Sequence, residues 1–179
     1  MTPALFLDRD GTLIEDPGYV SDPALVRLLP GVADALVRAR DAGFLLVVVT
    51  NQSGIARGLV TSQQLDAVHE RIAHLLAGHG AFIDAWAHCP HLPDADCECR
   101  KPHAGLHTAL ASALGIDLSA SWCIGDRLSD LLPAQALGSR AILVTSGEGS
   151  AHREEAERLG FAVAPDLAAA IDGILGERR

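Results

Sequence analysis

The sequence has no long apolar run and no excess of positive charge. None of its apolar stretches approaches the roughly 18 residues of a membrane-spanning helix. Its formal net charge is −9, which argues against electrostatic binding to nucleic acid or to an anionic membrane surface. Met1 is not followed by a basic region, an apolar segment and a cleavage site. We therefore expect a cytoplasmic protein whose thiols stay reduced.

Aromatic residues are also scarce, at 4% of the chain, but apolar residues make up 49% and charged residues 21%. These proportions are typical of a globular protein and not of a disordered one. With 179 residues, the chain is long enough for one hydrophobic core and too short for two ordinary domains. We expect a single domain over residues 1–179.

Short apolar segments alternate with longer segments in which apolar residues recur every three or four positions. This alternation is typical of repeated strand–helix units, which build an α/β fold with a doubly wound, mostly parallel sheet and helices on both faces. Ligands of such folds bind beyond the carboxyl ends of the strands. The predicted strands are residues 5–7, 44–49, 82–87, 121–124, 141–144 and 161–163.

Capping residues set the expected helix boundaries. A helix is predicted over residues 32–42, and the next one begins after Thr61, which forms a capping box with Gln64. A third helix ends at Gly115. The last residues, 176–179, are predicted to be a solvated tail. The predicted N-caps of three later helices are Ser129, Ser150 and Asp166.

Carboxylates follow two of the predicted strands. Asp8 and Asp10 lie on one side of the extended chain, because side chains alternate along a strand, and Gly11 permits a sharp turn after them. Crowded and desolvated carboxylates repel each other, and a divalent cation removes that conflict. Asp126 follows another apolar strand, with Asp130 four residues later. Hard oxygen ligands suit Mg²⁺, so we predict a magnesium site.

Groups that bind anions are predicted near these carboxylates. Residues 50–54 follow the second strand with a hydroxyl, amides and backbone N–H groups, and Arg100 and Lys101 supply two cations before a helix. A lone Asp-x-Asp or Gly-Asp pair is usually a turn or a cap. Four such elements, three of them at strand ends, favour a catalytic site instead.

Together these elements resemble the haloacid dehalogenase superfamily of aspartate-based phosphatases. Residues 8–13 are similar to its first motif, Thr50 to the second, Lys101 to the third, and Asp126 with Asp130 to the fourth. The resemblance spans nearly the whole chain. It implies a phosphatase with a fold of the kind predicted above.

The resemblance also implies roles for particular residues. Asp8 would be the nucleophile that forms an aspartyl-phosphate, and Asp10 the general acid and base. Mg²⁺ would be held by Asp8, the backbone carbonyl of Asp10, and Asp126. The residues implied to stabilise the transferring phosphoryl group are Thr50, Arg100 and Lys101.

A second metal site is predicted after the third strand, in a loop over residues 89–99. Cys89, His91, Cys97 and Cys99 place three thiols and an imidazole within eleven residues, a set typical of tetrahedral zinc. Four protein ligands leave no open position, so this zinc is expected to be structural and to fix the adjacent basic side chains. Disulfides are the alternative, which a reducing location disfavours. Cys123 is expected to be buried and inert, and the other histidines are interpreted as helix-face, strand or loop residues.

The spacing leaves no room for a large cap inserted between the motifs, so the site is expected to be open and short loops to set its specificity. Within the superfamily the chain resembles the group of histidinol-phosphate and heptose-bisphosphate phosphatases, and residues 16–20, 29–32, 50–58 and 144–149 favour the heptose branch. That branch implies a small phosphorylated sugar, cleaved at its 7-phosphate. The predicted substrate contacts are Asp16, Pro17, Gly18, Tyr19, Asn51, Gln52, Ser53, Arg57 and Arg127.

Two other functions stay open at this point. Histidinol phosphate would need a carboxylate for its ammonium group, for which Glu15, Asp16 and Glu98 are candidates. The five-residue gap between His91 and Cys97 also occurs in histidinol-phosphate enzymes. A catalytically silent, zinc-stabilised binding protein is the other alternative, since a fold does not establish an activity. An open site without an obvious apolar patch favours a monomer, with no nucleic-acid or membrane partner.

Overall fold

A six-stranded parallel sheet forms the centre of the molecule in this computed structural model, which describes residues 1–177. The strand order is β3-β2-β1-β4-β5-β6, so the sheet is wound outward in both directions from β1 and β4. The predicted doubly wound α/β fold is confirmed. The strands are β1 (Ala4–Leu7), β2 (Leu45–Asn51), β3 (Ala85–Cys89), β4 (Trp122–Gly125), β5 (Arg140–Val144) and β6 (Ala162–Ala164).

Helices cover both faces of this sheet, and each face has its own buried apolar cluster. Leu5 and Leu7 of β1 contribute to one cluster, while Ala4 and Phe6 contribute to the other. Burial on both faces explains why the strand segments are apolar throughout. The helices between residues 1 and 177 are α1 (Val32–Asp41), α2 (Ser62–Ala77), α3 (Gly105–Leu114), α4 (Leu128–Leu137), α5 (Gly149–Arg158) and α6 (Leu167–Glu177).

Some of the predicted helix ends are confirmed. Thr61 and Gln64 form the capping box of α2, and Gly115 ends α3 in the left-handed conformation. At the start of α6, the carboxylate of Asp166 accepts a hydrogen bond from the backbone N–H of Ala169 at 2.8 Å. In each case the residue's own side chain or backbone freedom determines the cap, which is why the local sequence predicts it.

The predicted N-caps Ser129 and Ser150 are wrong, because each lies inside its helix. The residues that precede α4 and α5 are Arg127 and Glu148. The Arg127 N–H donates to Asp130 at 2.9 Å and the Glu148 N–H to Asp126 at 2.8 Å. Carboxylates of the candidate site therefore accept the backbone N–H groups of the residues that precede α4 and α5.

Two further boundaries differ from the prediction. β3 begins at Ala85, and Phe82, predicted to be in this strand, is 56% exposed. Gly176 and Glu177 belong to α6 instead of a tail, and the rest of the predicted tail lies outside the described residues.

The connections before and after β2 contain no inserted domain, as the motif spacing predicted. Only a 3₁₀ turn (Pro23–Leu25) and α1 lie between β1 and β2, and only α2 lies between β2 and β3. The molecule accordingly has no large cap domain among its first 177 residues. No helix in that part of the chain has the length and apolarity needed to cross a membrane.

Candidate active site

Three buried carboxylates meet where β1 and β4 end. Asp8 follows β1, Asp126 follows β4, and Asp130 lies in the first turn of α4. One oxygen atom from each lies within 4.8 Å of the others. The backbone N–H of Asp8 donates to the carbonyl of Ile124 at 2.9 Å, so the pairing of β1 with β4 holds two of the three together. We call Asp8, Asp126 and Asp130 the carboxylate cluster.

The ammonium of Lys101 lies between two members of this cluster. Its Nζ is 2.7 Å from Oδ1 of Asp8 and 2.8 Å from Oδ1 of Asp130, and it donates to the carbonyl of Val49 at 2.6 Å. The side chain of Asn51 holds the backbone of Lys101 by accepting from its N–H at 3.1 Å and donating to its carbonyl at 3.0 Å. The end of β2 thus positions the cation.

The protein alone does not balance the charge of the carboxylate cluster. Burial raises the pKa of Asp8 to about 8 although Lys101 opposes the shift, and burial raises the pKa of Asp126 to about 7. Burial also disfavours the charged form of Lys101, but Asp130 and Asp8 outweigh it and raise the pKa of the ammonium. Three carboxylates against one ammonium favour either protonation or a divalent cation.

Asp126 is held so that one of its oxygens stays free. Its Oδ2 accepts from the backbone N–H of Glu148 at 2.8 Å, whereas its Oδ1 is buried without a hydrogen-bond partner. Gly11 and Gly147 pack against this carboxylate, and a Cβ on either would lie 2.2 Å from Oδ2. An unpaired, buried carboxylate oxygen is costly. This donor set fits Mg²⁺, which prefers hard oxygen ligands.

Asp10 lies beside the carboxylate cluster but has different partners. It is ion-paired with Arg9 at 2.8 Å, and its Oδ2 accepts from Nε2 of Gln52, also at 2.8 Å. The same Nε2 donates to the hydroxyl of Thr50 at 2.9 Å. Gln52 therefore connects the first and second motifs.

A cavity of about 550 Å³ opens above these groups. It is lined by every predicted catalytic residue, namely Asp8, Asp10, Thr50, Arg100 and Lys101. The predicted substrate contacts in its lining are Asp16, Pro17, Gly18, Tyr19, Asn51, Gln52, Ser53 and Arg127. Two predicted residues are not part of the lining. Arg57 is exposed, and Asp126 is fully buried beneath the cavity, beside Asp8 and Asp130.

A short loop over residues 15–21 forms one wall of this cavity. The Asp16 carboxylate accepts from the backbone N–H of Gly18 at 2.9 Å. Tyr19 then adopts a φ of 45°, which is uncommon for a residue with a side chain, and its ring packs against Gly54. Arg127 connects this wall to Glu148, which also lines the cavity, with its Nη2 3.5 Å from Asp16 and 2.9 Å from Glu148.

Cys89, the last residue of β3, comes together with His91, Cys97 and Cys99 of the following loop, and we call these four the sulfur cluster. Cys89 Sγ is 3.8 Å from Cys97 Sγ and 3.5 Å from His91 Nδ1. These two separations match a tetrahedron with a Zn–S bond of about 2.3 Å and a Zn–N bond of about 2.0 Å, whereas Cys99 Sγ lies closer than such a tetrahedron requires, 3.2 Å from Cys89 Sγ and 3.1 Å from His91 Nδ1. All four cysteines of the chain are free, so the disulfide alternative is wrong.

The sulfur cluster is connected to the cavity through hydrogen bonds. Nη1 of Arg100 donates to the carbonyl of His91 at 3.1 Å, and the backbone N–H of Gln52 donates to the carbonyl of Cys89 at 2.7 Å. The order of this loop therefore fixes two residues of the cavity wall.

Residues without a predicted role also reach the site. Arg9, Ser129 and Glu148 line the cavity as well, together with Asp130, which was predicted only as part of the fourth motif. His69, which was interpreted only as one of the helix-face, strand or loop histidines, lies on α2, is 9% exposed and contacts Arg9. Its position four residues after Leu65, on the apolar stripe of α2, is the signal that could have revealed its burial.

The chain is similar to known phosphatase families. A HAD-hydrolase-like family model matches residues 98–170, and a polynucleotide kinase 3 phosphatase model matches residues 4–130. The chain is 38% identical to the D-glycero-β-D-manno-heptose-1,7-bisphosphate 7-phosphatase of Photorhabdus laumondii, over 96% of each chain. It is 41% identical to the enzyme of the same name from Escherichia coli, over 82% of this chain and 81% of that relative.

Solved structures give the same result. The D,D-heptose 1,7-bisphosphate phosphatase from B. bronchiseptica, in complex with magnesium and phosphate, is 37% identical with a TM-score of 0.91 over 99% of both chains. The enzyme of that name from Burkholderia thailandensis is 30% identical with a TM-score of 0.72, over 97% of this chain and 98% of that one.

Proposed function

This chain belongs to the haloacid-dehalogenase-like phosphatases, and we propose that it removes the 7-phosphate of D-glycero-β-D-manno-heptose 1,7-bisphosphate, as its relatives' names describe. One observation carries the proposal. Residues from all four motifs, which lie far apart in the sequence, surround a single cavity together with Arg100 and Arg127. Complete motifs in one place support catalysis over silent binding.

Asp8 is the proposed nucleophile. Its carboxylate attacks the phosphorus atom of the 7-phosphate, the bond from phosphorus to the sugar oxygen breaks, and an aspartyl-phosphate forms. Asp10 donates a proton to the departing sugar oxygen. Asp10 then takes a proton from water, which attacks the aspartyl-phosphate and releases inorganic phosphate and the free carboxylate of Asp8.

Basic and polar groups at the cavity floor are proposed to hold the phosphoryl oxygens during both steps. Lys101 contacts Asp8 directly, so its charge lies next to the attacking atom. Thr50 and Arg100 reach the same cavity and supply a hydroxyl and a guanidinium, which are suitable donors to phosphate.

Mg²⁺ is the proposed cofactor of this site. Asp8, Asp126 and the backbone carbonyl of Asp10 would hold it, and the free Oδ1 of Asp126 supports that assignment. When bound, the ion would neutralise charge on the phosphate and on the nucleophile. Zinc is the proposed structural metal of the sulfur cluster, since its four ligands leave no open position for a reaction.

The second phosphate of the substrate is proposed to bind near Arg127. This side chain is 46% exposed and faces the cavity mouth, where Asp16 and Glu148 are its present partners. A phosphate can replace such exposed ion pairs, because each contributes about 1 kcal/mol or less. Arg57 lies outside the cavity lining, which makes Arg127 and Arg100 the better candidates.

The cavity gives less support to histidinol phosphate. Of the carboxylates considered for its ammonium group, Glu15 and Glu98 do not line the cavity, and Asp16 lies next to Arg127. A substrate cation there would meet a guanidinium. That the chain acts as a cytoplasmic monomer stays a prediction.

Phosphate release with Mg²⁺ tests the proposed function. The purified protein would be assayed with the α and β anomers of heptose 1,7-bisphosphate and with histidinol phosphate. We expect kcat/KM for the β bisphosphate to exceed kcat/KM for histidinol phosphate by at least ~10²-fold, about 2.7 kcal/mol of discrimination in the transition state. The reverse preference would move the protein to histidinol phosphate with its mechanism unchanged.

Asp8→Asn is the control for covalent catalysis. The amide is a poor nucleophile, so kcat is expected to fall by about 10⁴–10⁶-fold, as when other enzyme nucleophiles are removed. Asp172→Asn, at an exposed ion pair with Arg38, is the matched variant and should keep full activity. No release from any of the esters by a folded, metal-loaded protein would support the binding-protein alternative.

A further inference from the structure

Arg9, which lies in the sequence between the two carboxylates that are proposed to react, is a buried cation. Its side chain is 1% exposed, and a buried charge costs several kcal/mol to remove from water unless it is well paired. Nη2 of Arg9 lies 2.8 Å from both oxygens of Asp10, and Nε lies 3.1 Å from both. The planar guanidinium therefore engages the whole carboxyl group of Asp10 and not one atom of it.

The other end of the guanidinium contacts His69. Nη1 of Arg9 is 3.4 Å from Nε2 of His69, and the His69 ring stacks on Trp86 of β3 with centroids 4.6 Å apart. Burial, together with the positive charge of Arg9 and the neighbouring His88, lowers the pKa of His69 to about 3. The imidazole is accordingly neutral and accepts a hydrogen bond from Arg9.

Gln52 completes the set of donors around Asp10. It is 5% exposed and donates to Oδ2 of Asp10 from the side of β2. Asp10 itself lies in the turn after β1 and is 19% exposed, so the strand alone does not fix its side chain. Donors on two sides determine the direction in which the carboxyl group points.

We propose that Arg9, supported by His69 and Trp86, is a positioning residue that orients the carboxyl group of Asp10 for proton exchange with the leaving oxygen. The inference rests on the proposed function, because it requires Asp10 to be the general acid. An acid contributes only while it lies within hydrogen-bond reach of the oxygen that departs. Small displacements of such a group are costly, which gives a reason for keeping a charged side chain buried at position 9.

Two substrates separate positioning of the acid from general damage to the site. A sugar alkoxide needs a proton in order to leave, whereas p-nitrophenolate leaves readily without one. The value of kcat/KM covers only the steps up to departure of the leaving group, so the later attack by water does not enter. We compare wild type and Arg9→Met on heptose 1,7-bisphosphate and on p-nitrophenyl phosphate.

Arg9→Met is expected to lower kcat/KM for the bisphosphate by about 10²-fold and for p-nitrophenyl phosphate by less than about 5-fold. Arg9→Lys, which supplies a point charge but no planar fork, should lie between wild type and Arg9→Met. His69→Phe keeps a ring against Trp86 but removes the Nε2 acceptor, and it should show the same substrate dependence more weakly. Equal losses on both substrates would overturn the proposal.

Asp10→Asn sets the reference for complete loss of the acid. If Asp10→Asn lowers kcat/KM equally for both substrates, the proposed role of Asp10 fails. If Asp10→Asn lowers kcat/KM more for the bisphosphate than for p-nitrophenyl phosphate but the Arg9 variants lower both equally, only the positioning proposal fails. Should the bisphosphate prove not to be a substrate, histidinol phosphate, also an alkyl ester, replaces it. Should Arg9→Met not fold, as judged by thermal unfolding, Arg9→Lys and His69→Phe decide the outcome.

Discussion

The carboxylate cluster and the sulfur cluster both bring ligand atoms within 4.8 Å of one another, but they form in different ways. Asp8 and Asp126 are more than a hundred residues apart in the sequence and meet because β1 pairs with β4. The sulfur cluster comes from one loop of eleven residues. The carboxylate cluster is buried, whereas His91 of the sulfur cluster is exposed.

The difference shows that the carboxylate cluster depends on the fold of the sheet, whereas the sulfur cluster depends on its own loop. The carboxylate cluster needs the sheet to exist, and an ammonium from another loop already offsets part of its charge. The sulfur cluster would need only its own segment and a metal, because binding of the proposed zinc would supply the energy that orders the loop. We therefore expect changes at the first to affect chemistry and global stability, and changes at the second to affect the cavity wall.

The largest effect on stability is expected when the protein's own cation is removed from the carboxylate cluster. In Lys101→Met the carboxylates of Asp8 and Asp130 would face each other without an ammonium between them. Breaking a buried ion pair in this way costs about 3–5 kcal/mol, and loss of charge at the phosphoryl group should lower kcat by about 10²–10³-fold. Urea unfolding and phosphate release measure the two effects.

Arg38→Met is the control for that prediction. Arg38 and Asp172 also form an ion pair, at 2.8 Å, but their side chains are 43% and 60% exposed. An exposed pair contributes about 1 kcal/mol or less, so this variant should unfold close to wild type. A similar loss of stability in both variants would mean that burial does not distinguish the two pairs.

Removing one ligand of the sulfur cluster should have a smaller, indirect effect. Cys97→Ser is expected to lose zinc and to lower kcat/KM by about 10–10²-fold, because Arg100 donates to the carbonyl of His91 and would lose a fixed position. The affinity for Mg²⁺ should stay unchanged, since no ligand of the carboxylate cluster belongs to this loop. Zinc content and a Mg²⁺ titration of activity measure both properties.

Cys123→Ala is the matched thiol substitution. Cys123 is buried in β4, away from the sulfur cluster, and burial raises the pKa of its thiol to about 12. The variant should retain zinc and most of the activity. An unchanged kcat/KM for a zinc-free Cys97→Ser protein would show that the loop does not hold Arg100.

Local sequence was sufficient wherever one element determines the result. The strands could be predicted because burial on both faces makes them apolar, and the sulfur cluster because its ligands share a loop. The carboxylate residues could be located because parallel strands end at one edge of the sheet. The resemblance to a phosphatase family then connected Asp8, Asp126 and Lys101 in the sequence before the structure brought them together.

Features that depend on distant partners could not be predicted. The contact of Arg9 with His69 joins positions sixty residues apart, and no spacing indicates it. Ser129 and Ser150 have good capping propensity, but α4 and α5 begin earlier, after Arg127 and Glu148, whose backbone N–H groups donate to Asp130 and Asp126. In both cases the site and its neighbours overrode a local preference.

The smallest effect that we predict concerns the glycine that holds Asp126. A Cβ at Gly147 would lie 2.2 Å from Oδ2 of Asp126 and 2.7 Å from Cα of Gly11. Because Gly11 is backbone and cannot give way cheaply, Gly147→Ala should displace the carboxylate. We expect the affinity for Mg²⁺, measured by titration of activity, to fall by about 10-fold, the lower end of the effects seen when a metal ligand loses its support.

Gly147→Ala also places alanine at a φ of +59°, which costs about 1–2 kcal/mol by itself. Gly138→Ala isolates that cost, because Gly138 has a φ of +67° and nothing within 4 Å of an added Cβ. Gly147→Ala should lose more stability than Gly138→Ala in thermal unfolding, because its Cβ also meets Asp126 and Gly11, and only Gly147→Ala should bind Mg²⁺ more weakly. Equal Mg²⁺ affinities would mean that Asp126 moves without consequence. In that case the carboxylate cluster would tolerate displacement of a ligand, as an exposed, adaptable loop would, and its contrast with the sulfur cluster would be one of position only.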